Sequence, residues 1–405
     1  MAYQGIEYLR RKLATKQSRV NLRYSYYEMK NRVRDYNIVI PKEWNWLNAV
    51  LGWCTKAVDA LSDRLVFREF ADDNFDLNEI YNMNSKDVLV PSAILGACIA
   101  SCSFIYISAD EDGYPRMQSI DASNATGIID PITMMLSEGY AVLSRDPQNK
   151  QPIMEAYFTA EETVFYDLVN NVVFSIPNPA PYPLLVPVIY RPDSRREFGH
   201  SRISRACMEI QQGALRTLKR SEISSEFYSF PQKYVTGLNP DAETMDKWQA
   251  TISSLLQFDK DEDGDKPTLG QFQQQTMTPY MEQLKLFASL FAGESGLTMD
   301  DLGFAGDNPS SAEAIKASHE NMRLAARTAQ HNFGVGLLNA GYLAACVRDT
   351  FPYARKQIYQ TKAKWEPVFE PDAAQLSGIG DAAIKIAQSF PDYFTEDKLY
   401  DLTGI

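Results

Sequence analysis

Gly296-Leu297-Thr298-Met299-Asp300-Asp301-Leu302-Gly303-Phe304-Ala305-Gly306-Asp307-Asn308-Pro309-Ser310-Ser311 is the stretch on which the reading of this chain turns. It is a glycine-punctuated loop with three aspartates and no basic residue. Asn308-Pro309 marks a turn, and Ser310 or Ser311 with Glu313 close behind offers an approximate capping box for a helix. Beyond it Ile315, Met322, Ala326, Ala329, Phe333, Leu337, Ala340 and Ala344 recur at spacings of three, four or seven, which is one apolar helix face. Gly334, Gly336 and Gly341 interrupt it and predict a bend, because glycine weakens a helix interior by roughly 1 kcal/mol. An exposed, mobile, acidic loop is thus mounted on a long lever.

The rest of the composition sets bounds. The chain has 405 residues, 45% hydrophobic and 23% charged, enough to bury a sizeable core in more than one structural region. Mean hydropathy is -0.31 and no run of about 18 apolar residues occurs, so no transmembrane helix is expected. Met1 to Glu7 lacks the apolar core of a signal peptide, which predicts a protein made and kept on the cytosolic side. The five cysteines, Cys54, Cys98, Cys102, Cys207 and Cys346, form no Cys-x-x-Cys, so buried free thiols are expected rather than disulfides or zinc. Cys98 and Cys102 are placed on one side of a helix. The net charge of -12 runs against a protein that grips DNA by neutralising phosphates.

Taken in order, residues 1–40 interleave Arg10, Arg11, Lys12, Arg19, Arg23, Lys30, Arg32 and Arg34 with Tyr24, Tyr26, Tyr27 and Tyr36. They read as one or two helices whose charged face is solvated or meets another subunit, rather than nucleic acid. An amphipathic helix is expected from Leu47 to Leu65, with Val50, Leu51, Cys54, Val58 and Leu61 on one side, turning to strand at Val66-Phe67. Residues 71–87 are polar and acidic, Val88–Ala100 is a helix, and Phe104–Ile107 a strand closed by Asp110-Glu111-Asp112-Gly113. Short strands follow at Gly127–Ile129, Gly139–Leu143, Ile153–Phe158, Thr163–Tyr166 and Val172–Ser175, giving an antiparallel meander in an α+β region. Pro177, Pro179, Pro181 and Pro183 lead to an edge strand at Leu184–Tyr190. A long helix opens at Gly199-His200-Ser201-Arg202-Ile203, with Ile203, Cys207, Ile210, Ala214 and Leu218 as its stripe. It fades at Tyr228-Ser229-Phe230-Pro231, before a strand at Tyr234–Gly237. A helix running through Trp248 to Leu256, an acidic turn and Gly270–Met277 come next. Tyr280–Phe291 is helical, with Met281, Leu284, Phe287 and Leu290 as its stripe. After Asp349 come a strand-like Trp365–Phe369 and small helices at Ala373–Gln388 and Thr395–Leu402.

The Gly-x-Ser-x-hydrophobic opening at Gly199–Ile203, its long helix, the aromatic-proline exit and the glycine-containing strand resemble the first stem helix and clip of tailed-phage portal proteins. The loop at 296–311 and the helix after it resemble the tunnel loop and long helix of that family, siphophage type, and the order of elements agrees from Leu47 to about Val347. The resemblance implies an α+β portal fold with wing, two-helix stem, α/β clip, long kinked helix and small helical crown, in a ring oligomer. Its parts are then residues 1–197 (wing), 198–230 (first stem helix), 231–277 (clip), 278–292 (second stem helix), 293–310 (tunnel loop), 311–348 (long wing helix) and 349–405 (short crown). It also implies a homododecameric channel at one capsid vertex of the virion, assembled in the host cytoplasm, for DNA packaging and ejection. Implied partners are double-stranded DNA, the terminase large subunit, a head-completion or adaptor protein, and the major capsid and scaffold proteins, with no membrane. Glu294, Asp300, Asp301, Phe304, Asp307 and Asn308 are assigned to the tunnel loop, and Arg202, Arg205, Arg216, Lys219 and Arg220 to the stem. Lys233, Tyr234, Asp241 and Lys247 are assigned to the clip. In such a ring the acidic net charge fits a wall past which DNA slides rather than one to which it sticks.

Catalytic readings are weaker. Asp259-Lys260-Asp261-Glu262-Asp263-Gly264 copies the first half of a calcium loop, but Gly270 stands where the bidentate glutamate belongs, so a solvated turn is preferred and no metal is assigned. His200, His319 and His331 are too scattered for a metal cluster. Gly293-Glu294-Ser295-Gly296 lacks the spacing of a nucleophile elbow, and no Walker A or Gly-x-Gly-x-x-Gly motif occurs. A non-enzyme without cofactor is expected. The alternatives are another ring-forming connector of the virion, or a metal-dependent enzyme built on the acidic clusters.

Overall fold

The computed structural model describes residues 3–34, 47–72, 75–229, 233–236, 268–271, 276–304, 317–369 and 373–390. They divide between two compact units: 1–31, 52–209 and 291–405 form the first, and 32–51 and 210–290 the second.

The first unit starts with α1 (Ile6–Tyr27), which buries Leu9, Leu13, Val20 and Tyr26. Leu9 and Leu13 pack on Tyr140 and Val142 of a five-stranded antiparallel sheet. That sheet runs in sequence order from β4 (Ala125–Ile129) through β5 (Leu136–Arg145), β6 (Pro152–Phe158) and β7 (Glu162–Asp167) to β8 (Val172–Pro177). Two buried carboxylates fasten α1 to it. Glu138 accepts hydrogen bonds from the Gln4 and Gly5 amides at 2.9 and 3.1 Å and from the Tyr157 hydroxyl at 2.8 Å, and Glu155 accepts from Arg10 Nε at 3.0 Å. A carboxylate facing free amides at a helix start satisfies groups that have no partner within the helix.

A second sheet has the order β3-β2-β9, formed by β2 (Cys102–Ala109), β3 (Pro115–Asp121) and β9 (Leu185–Ile189). The expected hairpin turn is there: Asp110 Oδ1 accepts the Asp112 and Tyr114 amides. β9 is an outer strand, as its prolines predicted, with Pro187 opposite Phe104. All five of its residues are nevertheless buried, because a long helix, α7 (Glu320–Asp349), lies on it. α7 is helical without a break through Gly334, Gly336 and Gly341. Gly336 permits close approach: a Cβ there would stand 3.2 Å from the Pro187 carbonyl oxygen and 3.3 Å from Val188 Cα. The predicted apolar face from Met322 to Ala344 is buried.

Other expectations change in detail. The helix sought at Leu47–Leu65 is α2 (Trp53–Ser62), starting after Gly52, and Val50 is exposed. β1 (Phe67–Phe70) follows, and the acidic stretch holds an unforeseen helix, α3 (Leu77–Met83), anchored by buried Leu77, Ile80 and Tyr81. α4 (Lys86–Ala100) ends at Ser101 with φ 89°, so Cys98 lies on the helix and Cys102 on a strand. The five cysteines are free and buried. The strand sought at Trp365–Phe369 lies earlier, at β12 (Ala363–Trp365), because it pairs antiparallel with β1. It is preceded by α8 (Arg355–Ile358) and followed by α9 (Ala373–Ser389). Thr395–Leu402 lies outside the described residues. Among those described, no helix is long and apolar enough to cross a membrane.

The second unit is built on an antiparallel helix pair. α5 (Arg205–Ser229) and α6 (Thr278–Ser295) contribute most of their lengths to it, and β10 (Lys233–Thr236) pairs with β11 (Thr268–Gln271) in the stretch between them.

Candidate functional site

The loop that opens the sequence reading begins where α6 ends. Phe291 is fully buried, its ring 5.6 Å from that of Trp53, and Gly296 leaves the helix with φ 69°. Leu297 and Leu302 turn inward. Between them Thr298 and Asp301 form a reciprocal pair. The Thr298 amide and hydroxyl both donate to Asp301 Oδ2 at 2.9 Å, and the Asp301 amide donates to Thr298 Oγ1 at 3.2 Å. This is capping-box logic on a single 3-10 turn, Asp300–Leu302, closed by Gly303 at φ 86°. Burial alone would raise the Asp301 carboxyl, but the Thr298 donors, with His319 and Lys56 nearby, hold it below the ordinary aspartate range. Residues 296–304 are therefore an internally bonded turn, and the remainder of the expected loop, 305–311, lies outside the described residues.

The assigned tunnel-loop residues accordingly fall in different settings. Asp300 is exposed, Phe304 is half-buried, and the Phe304 amide closes onto the Met299 carbonyl at 3.0 Å. Glu294 is exposed on the last turn of α6 and accepts the Ser204 hydroxyl at 2.8 Å. Asp307 and Asn308, like the predicted caps Ser310 and Ser311, lie outside the described residues.

Among the basic residues assigned to the stem, Arg202 precedes α5, which starts at Arg205 rather than near Gly199. Its Nε donates to the Ala57 carbonyl at 2.9 Å, so it ties α2 to the opening of α5. Gly199 fixes that opening, with φ 71° and the Tyr190 carbonyl oxygen 2.1 Å from where a Cβ would sit. Ser204 Oγ accepts the Cys207 amide and caps the helix. Arg205 and Arg220 are exposed.

Within the second unit, α5 and α6 run antiparallel. A Cβ on Gly213 would meet the Phe287 ring at 2.8 Å, Thr217 Oγ1 donates to Gln283 Oε1 at 3.2 Å, and Ser224 meets the Tyr280 hydroxyl at 2.8 Å. Lys219, assigned to the stem, is buried, and Arg216 donates to the Arg34 carbonyl at 3.4 Å. Gln211 and Gln212, both buried, were missed. Gln211 Nε2 donates to the Leu51 carbonyl, while Gln212 donates to the Arg32 carbonyl and accepts the Arg34 amide. Two adjacent glutamines within an apolar helix stretch were the available signal. On α6 the predicted stripe is half right. Leu284 and Phe287 are half-buried beside fully buried Ala288, whereas Met281 and Leu290 are exposed. Lys233 and Tyr234 lie in β10, opposite Gln271 and Gly270, while Asp241, Lys247 and the calcium-like turn fall outside the described residues. Among the described residues, no group of three His, Cys, Asp or Glu side chains is arranged to hold a metal.

The chain is 24% identical over 320 residues to the portal protein of Mycobacterium phage L5, a match covering 74% of this chain. Over most of its length it is similar to phage portal proteins. The portal protein of Mycobacterium phage D29 is also 24% identical, over 322 residues. The match spans 65% of the length of each of these portal relatives. No protein-family model matches the chain. Solved structures similar to it include a virion of a native gene transfer agent particle (12% identity, TM-score 0.44, 87% of this chain and 89% of that one). The neck of the native particle, computed with C12 symmetry, aligns with 13% identity and a TM-score of 0.45 over the same shares.

Proposed function

We propose that this chain is a portal subunit, a non-enzymatic ring-former through which a tailed phage packages and ejects its DNA. The observation that carries the reading is its likeness to two portal proteins across 74% of its length. The antiparallel pair of α5 and α6, with a two-stranded β-ribbon in the intervening sequence, supports it as a stem-and-clip hairpin. In this reading twelve copies form a channel at one capsid vertex, the terminase docks on the clip, and head-completion proteins later take its place. Capsid and scaffold proteins surround the ring, and assembly occurs in the host cytoplasm. Glu294 and Asp300, both exposed, then repeat around the ring as acidic circles, and like charge on wall and phosphate keeps DNA from adhering. Arg205 and Arg220, exposed on α5, serve pairing between subunits. Negative-stain imaging of the purified chain tests this. Rings with a central hole that admits duplex DNA are expected, and rings with a closed or narrower centre would overturn the conduit.

A further inference from the structure

Helix α1 carries two stripes of opposite character. Lys12, Lys16, Arg19 and Arg23 recur at spacings of four, three and four, and so do Gln17, Asn21, Tyr24 and Glu28. At 3.6 residues per turn the stripes stand about 140° apart, on either flank of the buried face.

The contacts agree with that placement. On the basic flank, Lys12 Nζ lies 5.2 Å from the centre of the Phe198 ring, and Arg196 of the same loop reaches His200 Nδ1 at 3.2 Å. Arg23 Nε is buried without a hydrogen-bond partner, and Arg196 and Arg19 add like charge around it. Asp193, on the same loop, is turned to His200 Nε2 at 2.5 Å. Glu197, beside Arg196, answers Lys12, and Lys16, Arg19, Arg23 and Arg196 leave the flank with an excess of cations on a chain of net charge -12.

On the other flank, Gln17 donates to the Ser123 carbonyl, and Tyr24, Glu28 and Asp121 line two adjoining hollows of about 320 and 450 Å³. The first hollow shares Tyr27, Ser92 and Leu95 with a third of about 500 Å³. Along this groove Glu28, Asp121, Asp59, Asp63 and Asp87 outnumber Lys30 and Lys86.

We infer that the basic flank of α1, centred on Arg19, Arg23 and Arg196, docks into the acidic groove on the opposite flank of α1 in a second copy of this chain. The occupant is another copy because the complementary charge stands on the same molecule, on the other side of the same helix. A contact between two different patches is heterologous, and repeated with a closing rotation it makes a ring. The inference rests on the portal reading and names one of its subunit contacts.

Sedimentation velocity of the full-length chain tests it with two charge reversals at exposed positions, Arg19→Glu with Arg196→Glu and Glu28→Arg with Asp63→Arg. Each double variant alone should associate roughly tenfold more weakly than the unmodified chain, or worse. Mixed in equal amounts they should recover assembly, because every junction of an alternating ring is then complementary. Variants that assemble normally, or folded variants that stay apart when mixed, overturn the contact while leaving the ring reading standing. Unchanged assembly with lost binding of duplex DNA would overturn it too, in favour of a phosphate-facing patch. An unmodified chain that is monomeric at every concentration and salt would contradict the ring reading itself.

Discussion

At the scale of single residues, buried charge is spent on fastening the chain to itself. Glu138 has three donors and almost no exposure, so removing its carboxylate leaves two backbone amides and the Tyr157 hydroxyl without their acceptor. Glu138→Ala is expected to cost about 1.5–3 kcal/mol of unfolding free energy in a urea titration, the range for hydrogen bonds to a charged group. Asp301 gives a pH dependence. Its folded pKa is lowered, so its contribution is present above the unfolded value, about 3.9, and is lost as pH falls through the folded value. The turn at 296–304 should open in acid below about pH 4. Hydrogen exchange at the Thr298 amide reads this directly, and Asp301→Asn should remove the pH dependence. The cysteines supply a third expectation. Burial pushes Cys98 and Cys102 up to about 12 and Cys346 up to about 11, and raises Cys54 and Cys207. A thiol-reactive reagent at neutral pH should find no fast site on the folded chain and all five cysteines after denaturation.

At the scale of elements, glycines with different surroundings predict opposite outcomes. Gly336→Ala presses a methyl onto the backbone of buried β9, and overpacking of about 1–3 kcal/mol outweighs the gain of roughly 1 kcal/mol in helix propensity. Gly293, in α6, has nothing within 4 Å of its Cβ position, so Gly293→Ala should raise thermal stability. These cases also explain what the sequence could and could not say. The apolar period from Met322 to Ala344 was legible because that face of α7 is buried throughout, although from Gly336 to Val347 the helix is buried on every side. The role of its glycines was not, since close approach to β9 depends on a strand more than a hundred residues away. The meander from β4 to β8 was legible from alternation and turn residues, being local. The start of α2 was misjudged because Val50 and Leu51 continue the helical period past the point where the chain leaves the helix. Asp301 read as a free channel charge because its partner, Thr298, is an ordinary residue in a loop. The burial of Lys219 was not legible, because a charged residue in a helical repeat gives no sign of burial, whereas on α5 the surroundings are buried on nearly every side from Gln211 to Leu215.

At the scale of the whole molecule, self-association is the central expectation. An acidic chain with a cationic excess on one flank of α1 and an acidic groove on the other offers both halves of the proposed repeating contact. Native mass spectrometry of the purified full-length chain addresses this most directly. A closed assembly near twelve times the chain mass of 45.8 kDa is the predicted result, with smaller species gaining at high salt. A monomer or dimer at every concentration and ionic strength would rule out the ring.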